Sequence, residues 1–347
     1  MIETFREQVR AAAASGGKLR IRGGGTKDWY GQSFEGEILD TRGHTGIVDY
    51  EPTELVITAR CGTPLAEIEA VLAEQNQMLA FEPPHFGDSA TFGGAIAAGL
   101  SGPRRANSGA LRDFVLGAEL LDGQGELLRF GGQVMKNVAG YDVSRLLAGS
   151  LGTLGLITQA SVKVLPRPFA ETTLRFEMNE IEAIRKLNEW GGQPLPVSAS
   201  CWHAGVLALR LSGAQAAVDA AVRALGGQVM PDCAAFWASL REQRHAFFAG
   251  DVPLWRLSLP STTGAVVLKG EQLIEWGGAQ RWLRAGSEDC EAIRATVKAA
   301  GGHATLFRGG DKRVGVFQPL APAVARIHER LKASFDPAHI FNPGRMY

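Results

Sequence analysis

The segment LRIRGGGTKDWYG, residues 19–31, places the strongest constraint on how this chain folds. Three glycines and a threonine directly follow a short strand-like stretch of apolar and basic residues. Glycine adopts positive φ without steric cost, so such a run can turn several backbone N–H groups toward one point and bind an anion. The candidates for binding a pyrophosphate are therefore Arg22, Gly23, Gly24, Gly25 and Thr26. An ordinary surface turn is the alternative interpretation.

The two common nucleotide-binding loops do not account for this segment. A Rossmann fingerprint, GxGxxG, requires glycine at its sixth position, and counting from Gly23 that position is Asp28. A Walker A loop requires Gly-Lys followed by Ser or Thr, whereas Leu19 follows Gly17-Lys18. If the loop binds phosphate, we expect a different fold around it.

Three further segments of the first half have the composition that a long dinucleotide needs. The segment SATFGGAIAAGLSG, residues 89–102, predicts a short helix of small residues whose start could face phosphate. In LAGSLGTLGLIT, residues 147–158, glycines before a strand would let flat rings lie against bare backbone. The Pro83-Pro84 pair predicts a rigid bend that could border a ligand. Close helix packing and plain turns are the alternatives. The candidates from these segments are Pro84, Thr91, Gly93, Gly94, Gly99, Gly102, Gly152 and Gly155.

Charge and cysteine usage exclude several function classes. Lys plus Arg equals Asp plus Glu at 36 each, and this formal net charge of zero provides no electrostatic attraction for nucleic acid or an anionic membrane. The four cysteines are far apart and form no CxxC motif, so we predict reduced thiols and no metal site. We therefore expect a small molecule or another protein as the partner.

The sequence predicts a cytoplasmic protein without a transmembrane segment. Charged residues at Glu3, Arg6 and Glu7 interrupt any apolar core of a signal peptide. No apolar run approaches the roughly 20 residues that span a bilayer. Peripheral attachment at the inner membrane through a partner remains open.

A change in glycine content and in the pattern of predicted elements along the chain predicts an α+β fold with more than one domain. Up to Pro168 the sequence is glycine-dense, and short β-rich runs alternate with turn signals. From Ala170 onward, strand-like and helix-like segments alternate, with fewer glycine clusters. We predict domains at 1–168 and 169–320, followed by a C-terminal helix and tail at 321–347.

Five ordered motifs carry a family resemblance. The strings RGGGT, TFGGAIAAG, RDFVLGAELLDGQGE, KNVAGYDVSRL and GSLGTLGLIT resemble the FAD-binding domain of the vanillyl-alcohol-oxidase, or PCMH, type over about residues 15–168. The strings PTELVITARCGTPLAEIE, EPPHFG and FNPGRMY extend the resemblance to both ends of the chain. Within that family they resemble the smaller FAD-binding subunits of bacterial glycolate oxidase.

The resemblance implies a two-subdomain PCMH-type domain, a smaller α+β cap lobe, and an NPG tail (342–344) that returns to the first domain. The amides of residues 23–26 would bind the FAD pyrophosphate, the 91–102 candidates would line the flavin and ribityl region, and Gly152, Gly155 and Ile157 would pack on the rings. Family members often have Asn, Asn and Gly where this chain has Ala95, Gly99 and Ser101. No histidine lies between Arg22 and Gly31, so we predict non-covalent FAD.

The same resemblance implies a role in a glycolate dehydrogenase that converts glycolate to glyoxylate, with a larger FAD-binding catalytic subunit and an iron–sulfur subunit as partners. The HGDGNxH metal motif of the larger subunit's relatives is missing here, so catalytic residues remain unassigned. Two alternatives stay open, a stand-alone flavin dehydrogenase of a small 2-hydroxy acid and a non-catalytic scaffold. The resemblance places four further residues near the flavin edge, namely His85, Lys136, Tyr141 and Asp142.

Overall fold

The computed structural model describes residues 1–132 and 142–346. The helices are α1 Ile2–Ser15, α2 Leu65–Glu74, α3 Phe92–Ala98, α4 Arg105–Ser108, α5 Leu111–Phe114, α6 Val143–Leu147, α7 Glu180–Gly191, α8 Gln215–Leu225, α9 Cys233–Arg241, α10 Cys290–Ala299 and α11 Pro322–Phe335. The strands are β1 Leu19–Arg22, β2 Glu37–Asp40, β3 Ile47–Glu51, β4 Val56–Arg60, β5 Gln77–Met78, β6 Val115–Leu121, β7 Leu127–Gly131, β8 Leu156–Lys163, β9 Leu165–Pro166, β10 Ala170–Glu177, β11 Val197–His203, β12 Val206–Gly213, β13 Gln228–Val229, β14 Leu254–Ser258, β15 Glu271–Glu275, β16 Gln280–Arg284 and β17 His303–Arg308.

The chain divides into two compact units. The first contains residues 1–100, 110–166 and 319–347, and the second contains 101–109 and 167–318. This division differs from the predicted domain boundaries at residues 101–109, which belong to the second unit although their sequence neighbours on both sides belong to the first. The C-terminal residues 319–347 belong to the first unit.

An antiparallel sheet in the order β3-β4-β8-β6-β7 forms the centre of the first unit. Buried side chains of α2 and α3, including Ile68, Leu72 and Phe92, pack against β4 and β8. A second core of the same unit joins α1, through Phe5 and Val9, to the parallel pair β1 and β2 and to the tail. This second core matters for the site, because β1 leads directly into the glycine loop.

The second unit is built on an eight-stranded antiparallel sheet in the order β13-β10-β12-β11-β15-β16-β14-β17. Leu207, Leu209 and Leu211 alternate along β12 toward the buried faces of α7 and α8. Strands β14, β16 and β17 bury a second cluster against α10. This period-two pattern is what a sheet covered by helices on one face requires.

The predicted α+β class is confirmed. The subdivision of the first domain into two subdomains stays a prediction. Within the described ranges, no helix combines the length and apolarity needed to cross a bilayer.

Candidate functional site

A cleft of about 720 Å³, part of it open to solvent, lies in the first unit. Its walls come from the glycine loop after β1, from α3, from the turn before β8, and from the C-terminal tail. The lining residues are Ile21, Arg22, Gly23, Gly24, Gly25, Thr26, Lys27, Asp28, Thr41, Cys61, Thr91, Gly93, Gly94, Ala97, Ala98, Leu151, Gly152, Gly155, Leu156, Ile157, Asn342 and Arg345.

The glycine loop offers a run of available hydrogen-bond donors. Within the described part of the chain, the backbone N–H groups of Gly23, Gly24, Gly25 and Thr26 donate no hydrogen bond. Gly25 has φ 72°, a left-handed conformation that favours glycine. Unpaired backbone amides at a cleft can bind the oxygen atoms of an anion, and each such charged hydrogen bond contributes about 1.5–3 kcal/mol.

Close approach of two backbone segments explains why the loop needs glycine. A Cβ atom on Gly24 would lie 1.5 Å from the carbonyl oxygen of Ser89, and one on Gly23 would lie 2.3 Å from Thr91 Oγ1. The Ser89 hydroxyl donates to the carbonyl of Gly24 over 2.9 Å. Thr91 in turn caps α3, accepting a hydrogen bond from the N–H of Gly94. The loop and the start of α3 therefore form one continuous wall.

Three arginines surround one carboxylate at the loop. Asp28 Oδ2 lies 2.9 Å from Arg22 Nε and 2.7 Å from Arg20 Nη2. Arg345 is buried, and burial lowers its pKa to about 10, so the guanidinium remains charged at neutral pH. The cationic groups outnumber the carboxylate, which favours a bound anion.

Asn342 and Arg345 belong to the cleft and were not among the predicted binding residues. The Asn342 side chain accepts a hydrogen bond from the N–H of Ile21 and donates one to the carbonyl of Leu151. Arg345 donates to the carbonyls of Lys27 and Tyr30. The string FNPGRMY is the sequence feature that contains both residues, but it does not indicate which residues their side chains contact.

The structure places most of the predicted binding residues at this cleft. The exceptions are Pro84, Gly99 and Gly102, which are absent from its lining. Gly99 ends α3 at φ 63°, where a Cβ would lie 2.7 Å from the Cα of Gly149, so helix termination and packing explain its glycine. Gly102 belongs to the second unit, and its carbonyl accepts from Trp276 Nε1. Pro84 is buried. For the residues at the cleft, contact with a cofactor stays a prediction.

The residues predicted near a flavin edge carry no assigned catalytic role. His85 Nε2 lies 3.1 Å from Glu69 Oε2. Asp142 caps α6 by accepting from the N–H of Arg145. Lys136 and Tyr141 lie outside the described residues. In the described ranges, no group of three or more His, Cys, Asp or Glu side chains could hold a metal ion.

Comparison with known proteins identifies the family. A family model described as an FAD binding domain matches residues 2–131. Over 341 residues the chain is 51% identical to the glycolate oxidase subunit GlcE of Escherichia coli strain K12, covering 98% of this chain and 96% of that protein. The chain belongs to the GlcE family of glycolate oxidase subunits. The predicted family is therefore confirmed, and the FAD binding domain match confirms FAD as the cofactor of this GlcE-family chain.

More distant relatives share parts of the sequence or the fold alone. The glycolate oxidase subunit GlcD of Bacillus subtilis strain 168 is 35% identical over 138 residues, which cover 40% of this GlcE-family chain and 29% of GlcD. Among solved structures, p-cresol methylhydroxylase with substrate bound aligns with a TM-score of 0.70 at 16% identity, covering 99% of this chain and 87% of that one. An alkyldihydroxyacetonephosphate synthase aligns with a TM-score of 0.69 at 15% identity, covering 98% of this chain and 75% of that one. These two alignments support the fold assignment.

Proposed function

We propose that this chain is the FAD-binding subunit of a multi-subunit glycolate dehydrogenase that oxidises glycolate to glyoxylate. The observation that carries the proposal is the 51% identity to GlcE along 98% of the chain, which leaves no large segment of either protein unmatched.

The cleft supports non-covalent binding of FAD. Four N–H groups of the glycine loop would bind the diphosphate, and Arg22 and Arg345 would offset its charge. One side of the cleft is lined by Gly152, Gly155 and Ile157, and the two glycines leave room there for flat rings to lie against the backbone. When bound, FAD supplies hydride acceptance and electron transfer, while the protein supplies binding and orientation. The loop segment 22–31 contains no histidine that could form a covalent link.

The partners we propose are a larger FAD-binding catalytic subunit and an iron–sulfur subunit. The sequence contains no HGDGNxH string, so we place glycolate oxidation in the larger subunit. In this arrangement the flavin of the present chain relays electrons or completes the complex. We place the complex in the cytoplasm, with peripheral attachment to the inner membrane through a partner subunit.

Cofactor binding is tested on the purified chain alone. After incubation with FAD and removal of the excess, we expect a flavin absorption spectrum that stays with the protein. Acid precipitation should then release the flavin into the supernatant, because the attachment is non-covalent. Flavin retained in the pellet would contradict the non-covalent assignment, and no uptake at all would contradict FAD binding.

The place of the chain in the reaction is tested by anaerobic addition of glycolate or D-lactate. We expect no bleaching of the flavin in the isolated chain, and glycolate-dependent dye reduction only when the larger and iron–sulfur subunits are present. Bleaching of the isolated chain would favour a stand-alone dehydrogenase. Full activity of a complex in which this chain carries no flavin would favour a scaffold role.

A further inference from the structure

The C-terminal tail contacts the glycine loop at both of its ends. At the entry, the tail runs beside β1, with the N–H of Leu19 donating to the carbonyl of Ile340 over 2.7 Å and that of Asn342 donating to Leu19 over 2.9 Å. At the exit, the N–H of Gln32 donates to the carbonyl of Arg345 over 3.0 Å. The N–H groups of residues 23–26, which donate no hydrogen bond to any described residue, lie between these two attachments along the chain.

Asn342 connects the loop to the opposite wall of the cleft. Its Oδ1 accepts from the N–H of Ile21 at 2.9 Å, two residues before the first loop glycine, and its Nδ2 donates to the carbonyl of Leu151 at 2.6 Å. The side chain is 1% exposed. A Cβ on Gly152 would lie 2.7 Å from Asn342 Nδ2, so a side chain at position 152 would crowd the amide.

Arg345 holds the far end of the loop. Its guanidinium donates to the carbonyl of Lys27 over 3.1 Å and to that of Tyr30 over 3.2 Å, and it lies 4.7 Å from the ring centroid of Phe34. These bonds use loop carbonyls and leave the N–H groups of residues 23–26 available. Arg345 thus contributes both positive charge near the loop and hydrogen bonds that hold its far end.

We infer that Asn342 is a positioning residue of the cofactor cleft, which sets the distance between the glycine loop and the Leu151 turn, with Arg345 fixing the loop exit. This inference rests on the proposed binding of FAD in the cleft. Several converging hydrogen bonds bind an anion well only when their donors are held in place beforehand, because ordering a mobile loop on binding weakens affinity. A loosened loop should therefore lower affinity for FAD even in a folded protein.

The test compares FAD dissociation constants, measured by quenching of flavin fluorescence at a temperature far below unfolding. Asn342→Gly removes both side-chain bonds and tolerates the positive φ of 40° at this position. We expect affinity to fall about tenfold or more, given two buried hydrogen bonds. Asn342→Asp retains the acceptor for Ile21 but replaces the donor for Leu151 with a buried carboxylate oxygen that faces a carbonyl oxygen, so its affinity should fall at least as far as that of the glycine variant.

Asn188 provides a matched control in the second unit. Its Nδ2 also donates to two carbonyls, those of Ile184 and Ser261, at 2.8 and 2.9 Å. Asn188→Ala should lower thermal stability and leave the FAD dissociation constant within about twofold of the wild type, because its bonds lie in the second unit.

The outcomes separate the inference from the proposed function. Wild-type binding with unchanged affinity in Asn342→Gly would overturn the positioning role and leave FAD binding intact. Failure of the wild type to bind FAD would overturn both. If the glycine variant does not fold, Asn342→Asp and Arg345→Met decide the matter, and wild-type affinity in both would also overturn the inference.

Discussion

The ammonium group of Lys332 lies 2.5 Å from Asp336 Oδ2, and both side chains are buried in the first unit. Lys332 also donates to the carbonyls of Thr153 and Phe341 at 2.6 and 2.8 Å. The Asp336 carboxylate accepts from the N–H groups of Ile340 and Phe341. Burial lowers the pKa of Lys332, while the neighbouring carboxylate opposes that change. The ion pair anchors the tail directly before Asn342.

Removal of one partner of this pair should strongly destabilise the protein. Lys332→Met leaves the Asp336 carboxylate buried without its cation, and we expect the free energy of unfolding to fall by about 3–5 kcal/mol. Urea unfolding measures the change. Lys298 is an exposed lysine on α10, and Lys298→Met should change stability by no more than about 0.5 kcal/mol. A loss below about 1 kcal/mol in Lys332→Met would show that the pair is not desolvated as described.

Gly24 should not tolerate a side chain. In Gly24→Ala the new methyl group would lie 1.5 Å from the Ser89 carbonyl oxygen, so the two segments must separate. We expect a loss of about 2 kcal/mol or more in unfolding free energy, together with weaker FAD binding. The measurements are urea unfolding and a fluorescence titration. Gly191→Ala at the end of α7 meets open space and should be neutral or stabilising by up to about 1 kcal/mol. Equal stability of the two variants would contradict the contact between Gly24 and Ser89.

Half of the cleft lining, 11 of its 22 residues, was predicted from the sequence, because the signals of that half are local. Gly23–Thr26 and Thr91–Gly94 combine glycine and hydroxyl residues within a few positions, and a binding loop of bare backbone needs that composition. The α+β class was predictable for a similar reason, since strand and helix periods can be read over short windows.

The predicted residues that do not line the cleft lie where three-dimensional context decides. Gly102 follows the lining helix closely in sequence, but the chain leaves the first unit after Leu100. Gly99 looks like a binding glycine, yet its contact with Gly149 gives it a packing role. Asn342 meets Ile21 across 321 positions of the chain, and no local pattern specifies such a pairing. The family resemblance implied that the tail returns to the first domain, and the atoms that meet there are set by the packing of segments far apart in the sequence.

The cysteines should differ sharply in reactivity. Cys61, Cys201 and Cys290 are buried, whereas Cys233 is half-exposed at the start of α9. Burial raises the pKa of the Cys61 thiol to about 12 and that of Cys201 well above its usual value, which suppresses the reactive thiolate. A thiol reagent that releases a coloured product should titrate about one group in the native protein at pH 8 and all four in urea.

The variant Cys233→Ser identifies the reactive group. It should remove the rapid native-state reaction and leave three thiols for titration in urea, since all four cysteines are free. A second thiol that reacts as fast as Cys233 in the native protein would contradict the buried environment of Cys61, Cys201 or Cys290.

Acidification below about pH 6.5 should destabilise the fold through His44 and His245. Burial lowers the pKa of both imidazoles below the value of 6.5, helped by Arg60 beside His44 and by His203 beside His245. Between the lowered folded-state pKa and 6.5 the unfolded chain binds more protons, so the free energy of unfolding falls as the pH decreases through this window. Urea unfolding at several pH values from 7.5 to 5.0 measures the slope. The double variant His44→Gln with His245→Gln should have a flatter profile than the wild type, whatever its absolute stability. An unchanged slope in that variant would mean that other groups cause the acid sensitivity.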